Sequence, residues 1–130
     1  MRELADADRI RAFMRALGED ASEPVRVYFT GGATAVLFGW RQSAIDIDLK
    51  MLPETARLFR ALPALKERLR VNVELASPLD YIPVSDGWPE RSYFIAREGR
   101  ADFFHFDLYA QALAKVKRGH SLSLCSSRVS

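Results

Sequence analysis

The chain is poor in the residues that build disulfides and zinc sites: one cysteine, Cys125, and two histidines among 130 residues. An internal disulfide is thereby excluded, which fits a reducing compartment. A zinc site of Cys and His ligands lacks its material. Nowhere does the chain reach the ~18 consecutive apolar residues that a membrane span needs. The opening Met1-Arg2-Glu3-Leu4-Ala5-Asp6 carries early acids and no uninterrupted apolar core, unlike a secretory signal. A dominant charge is missing as well. Nineteen Lys and Arg stand against 17 Asp and Glu, a net charge of +2, which is too balanced to mark a nucleic-acid binder by composition. Internal repeats are absent. The default expectation is a soluble, cytoplasmic protein with no membrane partner.

What is present is ample apolar material: 48% of the residues are hydrophobic, enough for a packed core in one domain. Ile10, Phe13, Met14 and Leu17 recur at helical spacing, with Asp6 or Asp8 as cap and Gly18 as terminator. A polar turn, Glu19 to Pro24, follows. Val25 to Thr30 reads as a strand with Val25, Val27 and Phe29 on one face. Gly31-Gly32 breaks it, and Ala33 to Phe38 reads as a short helix ending at Gly39. Ile45 to Met51 is a second strand. Pro53 or Glu54 opens a helix carrying Leu58, Leu62, Leu65 and Leu69, with Pro63 expected to kink or split it. Val71 to Leu75 is a third strand, and the proline-rich stretch Ser77 to Arg91 reads mostly as loop. Tyr93 to Ala96 and Ala101 to Phe106 form a hairpin across Glu98-Gly99-Arg100. Leu108 to Lys117 is a last amphipathic helix. Ser121 to Ser130 holds five serines and no acid, and reads as a disordered tail. The expected fold class is α+β (α/β): one domain over residues 1–120, with a small mixed sheet flanked by helices.

The chemistry concentrates in Asp46-Ile47-Asp48. Residues two apart on a strand share a face, so both carboxylates project together, while Ile45, Ile47 and Leu49 line the core face. Two carboxylates about 5 Å apart repel by roughly 3 kcal/mol at an effective dielectric near 20. A divalent cation removes that cost, and magnesium prefers one or two carboxylates plus phosphate oxygens. The plainer reading is a solvated strand face. Gly31-Gly32, at the junction of strand and helix, argues against it. A glycine pair lets backbone approach a ligand, and helix N-terminal amides face anions, so turn and carboxylates together suit a triphosphate and its metal.

A third carboxylate would extend this to a fuller metal site. Glu74, between Val73 and Leu75, is the leading candidate; Asp80 and Asp107 are alternatives that also suit turns and caps. Arg41 suits a phosphate clamp and Ser43 a hydrogen bond to one, although Arg41 equally suits a surface ion pair. Lys115, with Lys117 and Arg118, brings positive charge on the last helix, or simply solvates its C-terminal end. His105, in an aromatic strand, reads as structural. Trp40 and Trp88 flank loops; both suit stacking on a base, and part burial is the simpler expectation.

Gly31-Gly32-Ala33, Leu37, Gly39, Arg41, Ser43 and Asp46-Ile47-Asp48 together resemble the polymerase-β-like nucleotidyltransferase superfamily. More narrowly they resemble its abortive-infection (AbiEii-like) branch, found as toxins of bacterial toxin–antitoxin pairs. Val73-Glu74-Leu75 matches the third carboxylate, and Lys115-Val116-Lys117-Arg118-Gly119 matches a later helical lysine. The resemblance covers residues 25–120. It implies a nucleotidyltransferase fold, with Mg2+ (or Mn2+) held by Asp46, Asp48 and Glu74, phosphate cradled by Gly31 and Gly32, and Lys115 near the nucleotide. It also implies transfer of a nucleoside monophosphate from a nucleoside triphosphate to a hydroxyl, on an RNA 3′ end (tRNA above all) or on a protein, and an antitoxin as partner protein. The acids that follow the lysine helix in relatives are missing here, where Ser121-Leu122-Ser123-Leu124-Cys125 stands instead. That departure motivates an alternative, a catalytically weak domain of the same fold that binds nucleotide or a partner. A metal-dependent nuclease ranks last, for want of a basic or aromatic track.

Overall fold

The computed structural model describes residues 4–80 and 82–121, the last four of them by backbone alone. In chain order the elements are β1 (Ala5–Asp6), α1 (Ala7–Asp20), β2 (Val25–Thr30), α2 (Gly31–Leu37), β3 (Ser43–Ala44), β4 (Asp46–Leu52) and α3 (Ala56–Leu69). Then come β5 (Asn72–Glu74), a 3-10 turn (Pro78–Asp80), α4 (Trp88–Arg91), β6 (Tyr93–Glu98), β7 (Ala101–His105) and α5 (Leu108–Ser121). Five strands make one mixed sheet in the order β5-β4-β2-β7-β6. β5 runs parallel to β4 and β2 parallel to β7, while β4–β2 and β7–β6 are antiparallel. The α+β class with a mixed sheet and flanking helices is the expected one. No described helix is long and apolar enough to cross a membrane.

Alternation of apolar residues sorts the two faces of this sheet. Val25, Val27 and Phe29 of β2, Ile47, Leu49 and Met51 of β4, and Phe103 of β7 point to one face, where Ile10, Phe13, Met14 and Leu17 of α1 and Leu58, Leu62 and Leu65 of α3 complete the main core. On the opposite face Tyr28, Phe106 and Ala110 form a second cluster, joined by Leu52, Trp88 and Phe104, so α5 and α4 lie over that side. Tyr28 stacks on Phe104 with centroids 5.0 Å apart and meets Trp88 edge-on at 4.9 Å.

Several boundaries differ from the sequence expectations, each for a local reason. Asp6, not Asp8, caps α1: its Oδ1 accepts from the Arg9 N–H at 2.9 Å. Gly18 lies inside that helix, which ends two residues later. It is needed for contact, because a Cβ there would sit 2.1 Å from the Glu98 carbonyl oxygen at the hairpin turn. Thr55, rather than Pro53 or Glu54, caps α3, its hydroxyl accepting from Leu58 N–H. Pro63 does not split α3. Both glycines of the expected breaker belong to α2, which continues directly from β2. Ile45 was expected on the core face with Ile47 and Leu49, yet it is 70% exposed. A bend at that residue separates β3 from β4, so the alternation restarts at Asp46. β3 pairs with β1 in a separate two-stranded sheet absent from the sequence reading. α5 runs on to Ser121, and the expected disordered tail otherwise lies outside the described residues.

Gly18→Ala tests the contact between α1 and the hairpin. Alanine gains about 1 kcal/mol of helix propensity, but overlap with backbone typically costs about 1–3 kcal/mol and no rotamer relieves it. A lower urea midpoint than wild type is expected; an unchanged or higher one would show that the hairpin yields freely.

Candidate functional site

Strand register assembles the carboxylates. β4 and β5 pair so that Asp46 stands opposite Asn72 and Asp48 opposite Glu74. On its other side Asp48 faces Thr30, the last residue of β2. A cross-strand row Thr30–Asp48–Glu74 results, with Asp46 two residues before Asp48 on the same face. Asp46 and Asp48 are half-buried and Glu74 is exposed, and oxygens from all three lie within 4.8 Å of one another. Asn72 Nδ2 donates to Asp46 Oδ1 and orients that carboxylate. The face is the one under α5, opposite the main core.

The glycine turn closes on this cluster. Gly31 has φ +60°, and a Cβ there would lie 3.3 Å from Asp48 Oδ2, so the backbone at the start of α2 abuts the central carboxylate. Gly32 serves packing instead: its Cβ would fall 2.7 Å from the Ala44 Cβ and 3.6 Å from Arg41 Nη1. The Arg41 guanidinium thus lies back along the first turn of α2. Ser43 is half-buried and paired with Asp6, three residues before Asp46 and across the bend at Ile45.

Gln111 is one residue that sequence reasoning missed. From α5 its Oε1 accepts the Gly31 N–H at 2.8 Å, and its Nε2 donates to Phe106 O at 2.8 Å, Thr34 Oγ1 at 3.3 Å and Phe29 O at 3.4 Å. The Gly31 amide, expected to face a phosphate, is therefore held by this carboxamide. Lys115 is exposed one helical turn beyond Gln111, and residues four apart share a helix face. It stands on the side of α5 that meets the glycine turn. Asn72 was missed too, although Asn72-Val73-Glu74 repeats the spacing of Asp46-Ile47-Asp48 and that repetition was a usable signal.

The alternative carboxylates have structural employment. Asp80 Oδ2 accepts the Ser77 N–H at 2.9 Å. Asp107 accepts from the Tyr109 N–H at the start of α5 and pairs with Arg91 at 2.8 Å. His105 is structural, as expected. Thr34 donates its hydroxyl proton to Phe29 O at 3.2 Å, so toward His105 Nδ1, 3.0 Å away, its oxygen accepts. This assignment places a proton on Nδ1. Burial pushes the His105 pKa down to about 4.

Three carboxylates with no nitrogen or sulfur donor form a hard, all-oxygen set, which suits magnesium or manganese better than zinc. At this spacing each charged pair repels by roughly 3 kcal/mol at an effective dielectric near 20, so a cation here relieves a real cost. Two shallow hollows, one by Ser77 and Asp80 and one by Arg26 and Pro53, include none of the three carboxylates. Compared with protein-family models, curated proteins and solved structures, the chain finds no match.

Two measurements follow from this geometry. Mn2+ or Mg2+ is expected to raise Tm relative to EDTA, by about 2.7 kcal/mol of stability at a hundredfold excess over its Kd. Asp48→Asn should abolish that rise; a metal-independent Tm in wild type would remove the cation from the site. For His105, the unfolded chain takes up a proton below its ordinary pKa of 6.5 while the folded protein resists until about 4. Stability is therefore lost as pH falls from about 6.5 to about 4. Thermal melts should show this slope in wild type and a shallower one in His105→Gln.

Proposed function

We propose that the chain is a metal-dependent nucleotidyltransferase and that its α+β sheet is the nucleotidyltransferase fold of the polymerase-β-like superfamily. The observation that carries this reading is the convergence of Asp46, Asp48 and Glu74 within 4.8 Å against the Gly31 backbone. A nucleoside triphosphate is the substrate, and an RNA 3′ end, as in tRNA, or a protein hydroxyl is the acceptor. The biological setting proposed is the toxin of a toxin–antitoxin pair, with an antitoxin as partner.

Magnesium or manganese, when bound, would neutralise the clustered charge and polarise phosphate oxygens. Asp46 and Asp48 would hold it, with Asn72 keeping Asp46 oriented. Glu74, the exposed member, would complete the metal site or take the proton of the attacking hydroxyl. That oxygen forms a bond to the α-phosphorus as the bond to pyrophosphate breaks. Arg41 and Lys115 would offset charge on the phosphates, and Ser43 would add a hydrogen bond.

One observation favours a second reading, a nucleotide- or partner-binding domain with weak or no catalysis: the Gly31 N–H is already engaged by Gln111.

The test supplies each α-labelled nucleoside triphosphate with magnesium to a cell extract, with Asp46→Ala beside wild type, and splits the products by RNase and protease. Label that is RNase- or protease-sensitive and lost in Asp46→Ala by at least about 10²-fold is expected, since electrostatic groups at such centres contribute on that scale. Nucleotide binding without transfer would select the second reading, and equal transfer by Asp46→Ala would sink the metal assignment.

A further inference from the structure

β4 and β5 run parallel, with Asp48 opposite Glu74. Just past that pair the two segments border a shallow hollow of about 70 Å³. Lys50 and Glu54 line it from β4 and the turn after it, and Leu75, Ala76, Ser77 and Asp80 from the segment after β5. Lys50 stands two residues beyond Asp48 on the same face of the strand, about 7 Å along the backbone. Thr30, which pairs with Asp48 across β2 and β4, donates its hydroxyl proton to Ala76 O at 3.4 Å. The wall of the hollow is thereby tied to the row of side chains that holds the carboxylates.

The lining is of mixed sign. Lys50 is half-buried, and among the described residues no hydrogen bond or ion pair holds its ammonium. Ser77 is buried and donates its N–H to Asp80 Oδ2 at 2.9 Å. That bond fixes the Asp80 carboxylate and commits one of its two oxygens; Glu54 is exposed. Such a set excludes most parts of a nucleotide. Two carboxylates disfavour a phosphate, and the ammonium disfavours a cation. A base finds no aromatic ring in the lining to stack on, and a single benzene ring occupies a cavity of roughly 150 Å³. A hydroxyl, in contrast, both donates and accepts. Two neighbouring hydroxyls of a sugar find carboxylate oxygens to accept from them and an ammonium to donate to them.

We infer that this hollow is a sugar subsite beside the carboxylate cluster, where the 2′,3′-diol of a ribose is held by Lys50 as donor and Asp80 as acceptor. The inference rests on the nucleotide reading above and names the nucleotide class as ribo. A hydrogen bond to a charged group is worth about 10- to 150-fold in affinity, so the loss of a hydroxyl is readable. The ribose belongs either to the incoming nucleoside triphosphate or to the 3′ end of an acceptor RNA; the chemistry recognised is the same.

Calorimetry with magnesium compares each nucleoside triphosphate with its 2′-deoxy and 2′,3′-dideoxy forms, and a short single-stranded RNA with the same strand ending in a dideoxynucleotide. Wild type is expected to bind the diol about 10- to 150-fold more tightly than the dideoxy form in at least one series, with the 2′-deoxy form between them. Lys50→Met should erase that preference and leave affinity for the dideoxy form unchanged. Asp80→Asn, which keeps an acceptor for the Ser77 N–H, should weaken the same preference and serves if Lys50→Met does not fold. A preference among triphosphates assigns the ribose of the substrate; a preference among RNAs alone assigns that of the acceptor. Equal affinity for diol and dideoxy forms in both series would overturn the subsite and leave the transferase reading standing. So would an equal loss across all forms in Lys50→Met, which would make Lys50 a phosphate contact. A ribose preference without any transfer activity would keep the subsite and remove the transferase. No binding of any probe would overturn both.

Discussion

Everything at the site depends on the register of one strand. Ile47, Leu49 and Met51 of β4 are all fully buried, and burying each contributes roughly 1.5–3 kcal/mol. A slip of one residue would exchange them for Asp46, Asp48 and Lys50, because the side-chain period of a strand is two. That slip forfeits the burial and adds several kcal/mol of desolvation for each carboxylate. The mutual repulsion of the carboxylates, roughly 3 kcal/mol per pair, is smaller than the sum. Core packing therefore holds like charges together that electrostatics alone would separate. A cluster of three carboxylates emerges as a by-product of a well-registered hydrophobic strand.

The second constraint is polar. β2 passes directly into α2, and that junction leaves backbone groups to be satisfied in a half-buried place. Gln111 answers this from the far end of the chain, bonding Gly31, Phe29 and Phe106 through one carboxamide. The same side chain ties α5, and with it Lys115, to the glycine turn. Thr34 lies between Gln111 and His105, so the network runs on into the aromatic stack that ends at Trp40. Glycine turn, basic helix and aromatic stack are in this way parts of one hydrogen-bonded and stacked unit, built on the end of a single strand.

Most elements were legible because their signal is local periodicity: the helical spacing in α1, α3 and α5 and the alternation in β2 and β4. The places where the reading failed are places where a distant contact overrode a local rule. Gly18 reads as a helix stop, but its missing Cβ makes room for the backbone at Glu98. Ile45 continues the alternation of β4 on paper, yet a bend needed to pair Ser43 with Asp6 turns it out to solvent. Gly32 suggested backbone approach to a ligand, whereas Ala44 occupies the space its side chain would need. Asp80 and Asp107 were separable from Glu74 only once the first was seen holding Ser77 and the second Arg91.

The amino-acid order alone dictated that Asp46 and Asp48 share a face, that a glycine pair stands at the end of β2, and that Glu74 sits between apolar neighbours on another strand. These follow from covalent spacing and the two-residue period of a strand, which no partner can alter. Whether those pieces meet was a matter of strand order: β5 lies beside β4, in a register that sets Glu74 against Asp48 and Asn72 against Asp46. The places of Gln111 and of the two tryptophans were likewise settled by folding. Trp40 and Trp88 are chemically identical, and burial against Tyr28 and Phe106 claims one while leaving the other open. Contacts between residues far apart in the chain depend on how the core packs, and that is a cooperative property of the whole sheet.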